Sequence, residues 1–380
     1  MRIAYVCADP GIEIFGLKGA SVHAREMIAA FLAQGHAVTL FSPRIGAPPA
    51  EYRAVRTAHL PAIPREARAD AAARARAQLA LNAPLARALR AAGPFDLVYE
   101  RHALHAHAAM EEAARLGIPG VLEVNAPLTE EARRHRVLAL PDAATASVTR
   151  AMRAARLVSA VSGPVADYAR AHGARAVEVI PNAVNPDRFP PVSRPEGRLT
   201  IGFLGTPRPW HDIGTLARAM ARLRESFPEA RLLIVGDPAD LPRLAPDLAG
   251  LDPELAGAVA PDAVPGWLAR MDIAVAPYAS DQPFYFSPLK IYEYMAAGLP
   301  VVASRVGDLA TLVRPGETGL LCAPDDPAAL AAALAALARD PAAARAMGAA
   351  GRAHVLRHHT WAGVAERLIA LSTGPERLAV

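Results

Sequence analysis

The sequence predicts an α/β protein with two Rossmann-like, doubly wound parallel-sheet domains, and three observations support this prediction. Short apolar runs alternate with helical stretches along nearly the whole chain, a pattern typical of parallel sheets covered by helices. A proline- and glycine-rich segment at residues 190–197 divides this pattern into two series. The length of 380 residues fits two domains of ordinary size.

The first series opens with a strand–helix–strand unit. Arg2–Ala8 is an apolar run suited to a buried strand, and Asp9–Gly19 is rich enough in glycine to form a loop. Ser21–Ala33 has helical periodicity, and Ala37–Ser42 is the next apolar run. A crossover of this length predicts parallel pairing of the two strands.

The rest of the first series repeats this alternation. Arg65–Ala92 is helical in pattern, with a break expected at Pro84. The further predicted elements are strands at Phe95–Glu100, Gly120–Asn125, Leu157–Val161 and Ala176–Ile180 and a helix at His105–Leu116. We assign residues 1–190 to this first domain, with loops at Pro10–Gly19, Pro43–Pro64 and Pro127–Pro141.

The second series defines a domain at residues 198–357. Its predicted strands are Leu199–Leu204, Arg231–Val235, Ile273–Pro277 and Val301–Ser304, and its predicted helices are Ile213–Ser226, Val264–Arg270, Ser287–Ala297 and Pro327–Arg339. Ala342–Leu371 is helical with breaks expected around Gly348–Gly351 and His358–Thr360. Because ligands bind at the carboxyl ends of strands in open α/β sheets, we expect both domains to present loops to a cleft.

Composition and charge exclude several classes of protein. Hydrophobic residues make up 52% and charged residues 21%, which is typical of a globular chain. The net charge of +4 is spread along the sequence, so we expect no nucleic-acid partner. The two cysteines, Cys7 and Cys322, make neither a disulfide scaffold nor a metal site. The motifs of P-loop NTPases, dinucleotide oxidoreductases and serine hydrolases are absent.

The N-terminus leads directly into a strand, and no stretch of about 18 apolar residues occurs. We therefore expect a cytoplasmic protein without a signal peptide. The basic balance would suit an anionic small ligand or peripheral contact with the inner face of a membrane, and a solvated surface explains it equally well.

The most informative segment is residues 286–304, FSPLKIYEYMAAGLPVVAS. Ser287 is suited to an N-cap and Pro288 to the first helical position, while Gly298 and Pro300 stop a helix. These signals predict a short helix of about ten residues, with Leu289 in its first turn.

Two charged residues lie on one face of this short helix. Lys290 falls in the first turn, where a cation is unfavourable by a few tenths of a kcal/mol. A phosphate bound at the helix start would reverse that balance. Glu293, three residues later, could accept hydrogen bonds from ribose hydroxyls, although a simple surface ion pair is the alternative.

Residues 286–304 resemble the C-terminal motif of retaining, GT-B-fold glycosyltransferases of family four (glycosyl transferases group 1). The resemblance covers nearly the whole chain, and its motifs keep a specific order and spacing. They are GLKGASVH at 16–23, VYERH at 98–102, LEVNAPL at 122–128, AVS at 160–162, IPNAVN at 180–185, FLGTPRPWH at 203–211 and GETGLL at 316–321.

The resemblance implies a glycosyltransferase that moves a sugar from a nucleoside-diphosphate sugar to an acceptor hydroxyl with retention of configuration. It implies no metal and no other cofactor. Glu293 is expected to bind the ribose and Lys290 the diphosphate. The remaining donor-site residues are expected to be Gly16, Gly19, Gly205, Ser287, Pro288 and Leu289. The resemblance also implies that a C-terminal helix at about 358–380 packs back on the first domain.

Four residues complete the predicted catalytic set. Arg208 and Lys290 would stabilise the leaving diphosphate, although Arg208 could also be a solvated arginine. Asn125 and His102 stand at predicted strand ends, where they could contact substrate or cap a turn. A metal site at His102, His105 and His107 is disfavoured because these residues do not share a helix face.

The chain departs from the family pattern at four positions. Tyr285 stands where the family often has a first glutamate, and Asn125 where many members have histidine. Thr206 and His211 occupy positions that commonly hold arginine and lysine. Two alternatives therefore stay open: a GT-B nucleotide-sugar epimerase and a non-catalytic sugar-nucleotide-binding protein.

The acceptor could be a saccharide, a lipid-linked molecule or a small metabolite. Cell-surface polysaccharide, glycolipid or secondary-metabolite glycosylation would each fit such an acceptor. The sequence specifies neither the nucleotide base nor the sugar.

Overall fold

A computed structural model describes residues 1–67, 69–192, 197–237, 246–281 and 283–374. The chain forms two compact units. The first contains residues 1–181, 285–287 and the C-terminal part from Trp361, and the second contains residues 182–284 and 288–360. Residues 193–196 of the predicted linker and 375–380 of the predicted C-terminal helix lie outside the described residues.

The second unit begins at Asn182, before the boundary that the sequence places at residue 190. Backbone hydrogen bonds explain this position. The N–H of Val184 donates to the carbonyl of His359 at 2.9 Å, and the N–H of Val192 donates to Ala297 at 3.0 Å. The segment before the linker is therefore tied into the second unit.

The first unit contains a seven-stranded parallel sheet with the order β3-β2-β1-β4-β5-β6-β7. Its strands are β1 Arg2–Cys7, β2 Ala37–Ser42, β3 Arg56–His59, β4 Leu97–Arg101, β5 Gly120–Val124, β6 Leu157–Ala160 and β7 Val177–Val179. Its helices are α1 Gly19–Ala33, α2 Ala71–Ala80, α3 Asn82–Ala92, α4 Ala108–Leu116, α5 Leu128–His135, α6 Pro141–Ala154, α7 Gly163–Ala171 and, at the C-terminus, α14 Trp361–Thr373.

The second unit contains a six-stranded parallel sheet with the order β10-β9-β8-β11-β12-β13. Its strands are β8 Thr200–Leu204, β9 Arg231–Val235, β10 Glu254–Gly257, β11 Ile273–Ala276, β12 Val301–Ser304 and β13 Leu320–Cys322. Its helices are α8 Ile213–Ser226, α9 Val264–Leu268, α10 Leu289–Ala296, α11 Leu309–Leu312, α12 Pro327–Arg339 and α13 Pro341–His358. Counted within the unit, this is the 3-2-1-4-5-6 order of the Rossmann fold.

The central strands of the first sheet are buried on both faces, and their side chains alternate between two environments. Val98 and Leu122 point into the aliphatic core that includes Met110 of α4. Tyr99 points to the other face, where its ring packs edge-on against Phe31 of α1 at 5.4 Å between centroids. This second face carries the polar side chains described below.

The C-terminal helix α14 lies in the first unit, where it packs against α1 and the β5–β6 part of the sheet. The Gln34 side chain donates a hydrogen bond to the Ala362 carbonyl at 2.8 Å. Within the described part of the chain, none of the helices is long and apolar enough to cross a membrane.

Most long elements form where the pattern predicts them, and five of them match residue for residue. These are the elements Ala37–Ser42, Ile213–Ser226, Arg231–Val235, Val301–Ser304 and Pro327–Arg339. Each one is bounded by a residue that stops or caps it. For example, Asp212 and Asp326 accept backbone hydrogen bonds at the starts of α8 and α12.

Two predicted helix boundaries in the first unit are wrong. The break in Arg65–Ala92 falls at Leu81, between α2 and α3, and Pro84 lies in the first turn of α3, where proline is tolerated. The helix predicted from His105 begins at Ala108. His105 has a left-handed φ of 71°, which is incompatible with a helix.

Two predictions in the second unit are also wrong. The helix expected from Ser287 begins at Leu289 with Pro288 as its N-cap, so the N-cap position lies one residue later than predicted. The helix α13 runs without a break through Gly348. A Cβ at Gly348 would lie 2.1 Å from the Gly298 carbonyl oxygen, so this glycine permits close packing rather than a break.

The sequence pattern also missed several elements. Part of the expected loop Pro43–Pro64 is the edge strand β3, and most of the expected loop Pro127–Pro141 is helix α5. The pattern also gave no sign of α6, β10, α11 or β13.

Candidate functional site

The second sheet changes winding direction between β8 and β11, which are neighbours at its centre. Ligands in open α/β folds bind at the carboxyl ends of the strands at such a point. Gly205 follows β8 directly, and Tyr278 lies two residues beyond the end of β11. The loops that begin at these residues therefore form the candidate site of the second unit.

Helix α10 is fixed to these two strands by one hydroxyl group. The Tyr294 hydroxyl accepts a hydrogen bond from the Leu204 N–H at 2.7 Å and donates one to the Val275 carbonyl at 3.3 Å. Tyr294 is fully buried. This pair of bonds sets the position of the first turn of α10 relative to the end of β8.

Lys290, in that first turn, is buried, with 9% of its surface exposed. Its Nζ lies 3.0 Å from His211 Nε2 and 4.1 Å from the centroid of the Phe203 ring. A Cβ built on Gly205 would lie 3.1 Å from the same Nζ. The ammonium group is therefore held beside the glycine backbone at the end of β8.

The backbone at Gly205 requires a residue without a side chain. Its φ is 123°, a value that residues with a Cβ rarely adopt. Its carbonyl oxygen would lie 2.2 Å from a Cβ on Gly236, so the two glycines pack backbone against backbone. The loop after β8 can therefore approach a ligand closely.

Burial controls the charge of Lys290 and of its neighbour His211. Burial lowers the pKa of Lys290 to about 7, and the nearby carboxylate of Glu293 acts in the opposite direction. Burial, and then the charge of Lys290, lowers the pKa of His211 to about 2. His211 is therefore a neutral imidazole at physiological pH, and among the described residues it is the hydrogen-bond partner of Lys290 Nζ.

Glu293 and Arg208, the other charged residues predicted for this site, differ in their solvent exposure. Glu293 is half-buried on the same helix as Lys290, and Arg208 is exposed in the loop between Gly205 and His211. Phosphate binding by Arg208 and ribose binding by Glu293 stay predictions.

The first unit carries a buried polar network centred on Glu123, whose role the sequence left open. Arg101 donates to Glu123 Oε1 at 2.5 Å, and Tyr99 donates to Oε2 at 2.5 Å. His23 Nε2 lies 3.1 Å from Oε1, and the Asn125 amide also donates to that oxygen. Four side chains therefore converge on one carboxylate that is 2% exposed.

The network keeps Glu123 ionised. Burial by itself would raise the pKa of Glu123, but His23 and Arg101 beside it and the hydrogen bonds from His23 and Tyr99 hold it well below its usual value. The sequence signal for this network was the polar residue at alternate positions of two otherwise apolar strands. The positions of these polar residues in the sequence did not reveal that their side chains contact one another.

Asn125 and His102, both predicted to contact substrate, have different surroundings. Asn125 is half-buried directly after β5, and its amide is oriented by Glu123. His102 is 6% exposed, and neither ring nitrogen has a hydrogen-bond partner within the described part of the chain. Burial, with a smaller contribution from His172, lowers the pKa of His102 to about 4. The structure does not join His102 to the Glu123 network through its ring.

The N-terminal glycine loop lies next to this network. Gly16 makes a turn with Glu13, and a Cβ on Gly16 would lie 3.0 Å from the Glu13 carbonyl oxygen. Gly19 is exposed and is the first residue of α1, whose first-turn N–H groups have no partner within the helix. One turn further, α1 supplies His23 to Glu123.

Tyr285, at the position of the family's first glutamate, is grouped with the first unit. Its carbonyl accepts a hydrogen bond from Ser162 Oγ at 2.6 Å, and its hydroxyl donates to Glu131 Oε2 at 3.3 Å. Burial, followed by the charge of Glu131, raises the pKa of Tyr285 to about 12. The phenol therefore stays neutral and acts as a hydrogen-bond donor.

The histidines at 102, 105 and 107 do not form a metal site. Among the described residues, no group of three or more His, Cys, Asp or Glu side chains is arranged to hold a metal ion. The ring of His107 is instead paired with Asn82 through Nδ1 at 2.5 Å.

Two Rossmann-like units with the same central strand order are typical of the GT-B class of fold. Models of two families match successive parts of the chain: "Glycosyltransferase Family 4" over residues 17–188 and "Glycosyl transferases group 1" over residues 198–340. The chain belongs to glycosyltransferase family four.

Named relatives and solved structures agree with this assignment. D-inositol 3-phosphate glycosyltransferase of Stackebrandtia nassauensis is 31% identical over 75% of this chain and 69% of its own length. The same-named protein of Streptomyces scabiei is also 31% identical, and the match covers 69% of this chain and 64% of that relative.

Two solved structures resemble the whole chain in fold. Sucrose-phosphate synthase from Thermosynechococcus elongatus has a TM-score of 0.73 at 22% identity, with 97% of this chain and 98% of that chain covered. HepE of Anabaena in complex with UDP-glucose has a TM-score of 0.68 at 18% identity, with the same coverage. Identities this low show the fold alone.

Proposed function

We propose that the protein transfers a sugar from a nucleoside-diphosphate sugar to an acceptor hydroxyl with retention of configuration. The observation that carries this proposal is the ammonium of Lys290, buried against Gly205 at the first turn of α10. A buried cation with a pKa lowered to about 7 is unfavourable in an empty site, and an anion placed beside it restores the balance.

The diphosphate of the donor is the anion that this arrangement suits. Bond breaking between sugar and phosphate places additional negative charge on the diphosphate. Lys290, Arg208 and the backbone N–H groups near Gly205 would stabilise this charge, and groups positioned in this way are typically worth about 10²–10³ each in rate. Glu293, one turn along α10, is the hydrogen-bond acceptor for the ribose.

Retention of configuration is proposed because the chain belongs to glycosyltransferase family four, and the resemblance to that family implies retention.

 The leaving phosphate would accept the proton of the acceptor hydroxyl during attack on the same face of the sugar. Nuclear magnetic resonance of the anomeric proton in the product tests this directly, and an inverted product would contradict retention.

The acceptor is proposed to be a saccharide, a lipid-linked molecule or a small metabolite. The named relatives act on D-inositol 3-phosphate, so that compound is the first acceptor to test. The donor is proposed as a UDP-sugar in the first trial, since a protein of similar fold is seen with UDP-glucose. We expect no metal requirement and propose glycolipid, cell-surface polysaccharide or secondary-metabolite glycosylation as the setting.

The test is release of nucleoside diphosphate from UDP-, GDP-, ADP-, CDP- and dTDP-sugars, with and without the acceptor. Glu293→Ala is compared with wild type, and Glu225→Ala, an exposed glutamate on α8 of the same unit, is the matched control. We expect release from one donor, loss of that release in Glu293→Ala, and no change in Glu225→Ala.

The same assay separates the two alternatives. An epimerase would convert the donor sugar into its isomer with no acceptor present. A non-catalytic binding protein would bind the nucleotide, as measured by calorimetry, and release nothing with any acceptor. Either outcome would overturn the proposed transfer.

A further inference from the structure

His211 stands at a position where the family commonly has a lysine, and its contacts differ from those of a cation. The Nδ1 atom lies 2.9 Å from the Thr206 carbonyl oxygen and 3.3 Å from the backbone nitrogen of Arg208, and Nε2 lies 3.0 Å from Lys290 Nζ. The ring packs between Phe203 and Tyr278, with centroids 5.2 and 5.4 Å away. All of these residues belong to the second unit.

Nδ1 faces an acceptor, the Thr206 carbonyl, and at the longer distance a donor, the Arg208 N–H. The neighbour of Nε2 determines the tautomer, because Nε2 must present its lone pair to the ammonium of Lys290. The proton therefore lies on Nδ1, which donates it to Thr206, the shorter of its two contacts. An ammonium group has only donors, so Lys290 can bond to Nε2 only while the imidazole is neutral.

We propose that His211 is a positioning residue that accepts a hydrogen bond from Lys290 and holds its ammonium beside Gly205, instead of acting as a second cation for the diphosphate. This inference rests on the proposed function for its catalytic meaning, because it assigns Lys290 to the donor phosphate. The contact between the two side chains can be tested without any donor.

The charged and titratable groups around Lys290 support this division of roles. Glu293 on the same helix favours the ammonium form, and the charge of Arg208 adds to that of Lys290 in opposing protonation of His211. The Tyr278 ring lies 5.8 Å from Nζ on the side of β11. A lysine in place of His211 would set two ammonium groups against each other, since neither could accept a hydrogen bond.

The direct test is the titration of Lys290. The chain contains two lysines, Lys18 and Lys290, so protein labelled with ¹³C and ¹⁵N in lysine gives two side-chain signals, and Lys18→Arg assigns them. His211→Phe keeps an aromatic ring but removes the acceptor, and His211→Gln supplies an amide oxygen in its place.

We expect the Lys290 midpoint, near pH 7 in the wild type, to fall by about one pH unit in His211→Phe, the equivalent of one charge-assisted hydrogen bond. His211→Gln should restore most of this change, which a purely structural role for the ring would not allow. His211→Lys should lower the midpoint at least as far as His211→Phe.

A second measurement needs no substitution at His211. The ¹⁵N shifts of the His211 ring in wild-type protein should show a neutral imidazole with its proton on Nδ1 at pH 6. An imidazolium, or a proton on Nε2, would overturn the proposal even if the variants did not fold.

Binding of UDP-glucose separates this inference from the proposed function. If His211 were a phosphate-binding cation, His211→Lys would bind the donor more tightly than wild type, and His211→Phe would leave the Lys290 midpoint unchanged. That pair of results would overturn the inference. If wild type bound no nucleotide sugar while the titration still depended on His211, the proposed function would fail and the positioning of Lys290 would stand.

Discussion

The buried carboxylate of Glu123 in the first unit and the buried ammonium of Lys290 in the second are compensated to different degrees. Glu123 receives hydrogen bonds from Tyr99, Arg101 and Asn125 and lies beside His23. Lys290 contacts a neutral imidazole and an aromatic ring. As a result, the pKa of Glu123 lies well below its usual value, whereas that of Lys290 is displaced to about 7.

This difference in compensation indicates different roles for the carboxylate of Glu123 and the ammonium of Lys290. A buried charge that is fully hydrogen-bonded contributes to the folded structure, because removing one partner leaves the others unpaired. A buried charge without a hydrogen-bonded counter-ion costs stability in the free protein and can be stabilised by a ligand of opposite charge. We therefore interpret the Glu123 network as structural support and Lys290 as a binding group.

The largest expected effect is that of Glu123→Gln on stability. A neutral amide leaves Arg101 buried without its counter-ion, so the free energy of unfolding should fall by about 3–5 kcal/mol. Urea unfolding at pH 7, followed by tryptophan fluorescence, measures this change. Glu366→Gln, an exposed glutamate on α14, is the control and should change little.

The stability difference between wild type and Glu123→Gln should depend on pH. A carboxylate whose pKa is lowered by folding stabilises the protein above its unfolded pKa and loses that contribution as the pH falls through the folded pKa. The difference between wild type and Glu123→Gln should therefore shrink progressively as the pH falls below the unfolded pKa of a glutamate, about 4.3. An equal difference at pH 2 and pH 7 would contradict the role of the charge.

Lys290→Met should have the next largest effect, with opposite signs on binding and on stability. Loss of the ammonium removes a charge-assisted contact of about 1.5–3 kcal/mol, so nucleotide-sugar affinity should fall roughly ten- to hundredfold. The melting temperature should rise, because the buried amine no longer opposes folding. Calorimetry and thermal unfolding measure the two effects, with the exposed Arg222→Met on α8 as the control. Unchanged affinity would remove Lys290 from the donor site.

The affinity for a nucleotide sugar should depend on pH through Lys290. The phosphates of a nucleotide sugar stay ionised between pH 6 and 9, so the protein supplies the titrating group. With a pKa of about 7 in the free site, Lys290 must take up a proton for binding at higher pH, and affinity should weaken about tenfold per pH unit above pH 7. Affinity that is constant from pH 6 to 9 would contradict a titrating lysine, and Lys290→Met should show no such slope.

The smallest expected effect is that of Tyr294→Phe in the second unit, compared with Tyr5→Phe in the first. Loss of the Tyr294 hydroxyl leaves the buried Leu204 N–H without its acceptor, which should lower the free energy of unfolding by about 1–2 kcal/mol. The Tyr5 hydroxyl is buried and has no hydrogen-bond partner among the described residues, so Tyr5→Phe should be neutral or stabilising. Equal losses in both variants would show that ring packing, rather than the hydroxyl, fixes α10.

The parts of the fold that could be predicted from sequence are those with a strong local signal. Strands β2, β9 and β12 are continuous apolar runs, because a parallel strand at the centre of a sheet is buried on both faces. The missed strands β3, β10 and β13 are edge strands, which pair on one side only, and most of their residues are exposed or half-buried. Without a continuous apolar run, an edge strand has the appearance of a loop.

The start of α4 shows why some boundaries could not be predicted. The Asn82 side chain, at the beginning of α3, accepts hydrogen bonds from the N–H groups of His107 and Ala108 at 2.9 and 3.0 Å. This cap comes from a residue on another helix, so it is invisible to any local pattern. The histidine at 105 is consequently held outside the helix, with its carbonyl bonded to the same asparagine.

The sequence by itself determined the two α/β units, the family and the short helix that carries Lys290 and Glu293. These follow from local periodicity, from helix-stop residues and from motifs whose order is preserved. Only the tertiary structure decided the chemistry of the charged groups. Burial and contacts between residues far apart in the chain control the ionisation of Lys290, the neutrality of His211 and the network on Glu123. The pKa of a side chain depends on the groups that surround it in the folded protein, which the adjacent residues of the sequence do not specify.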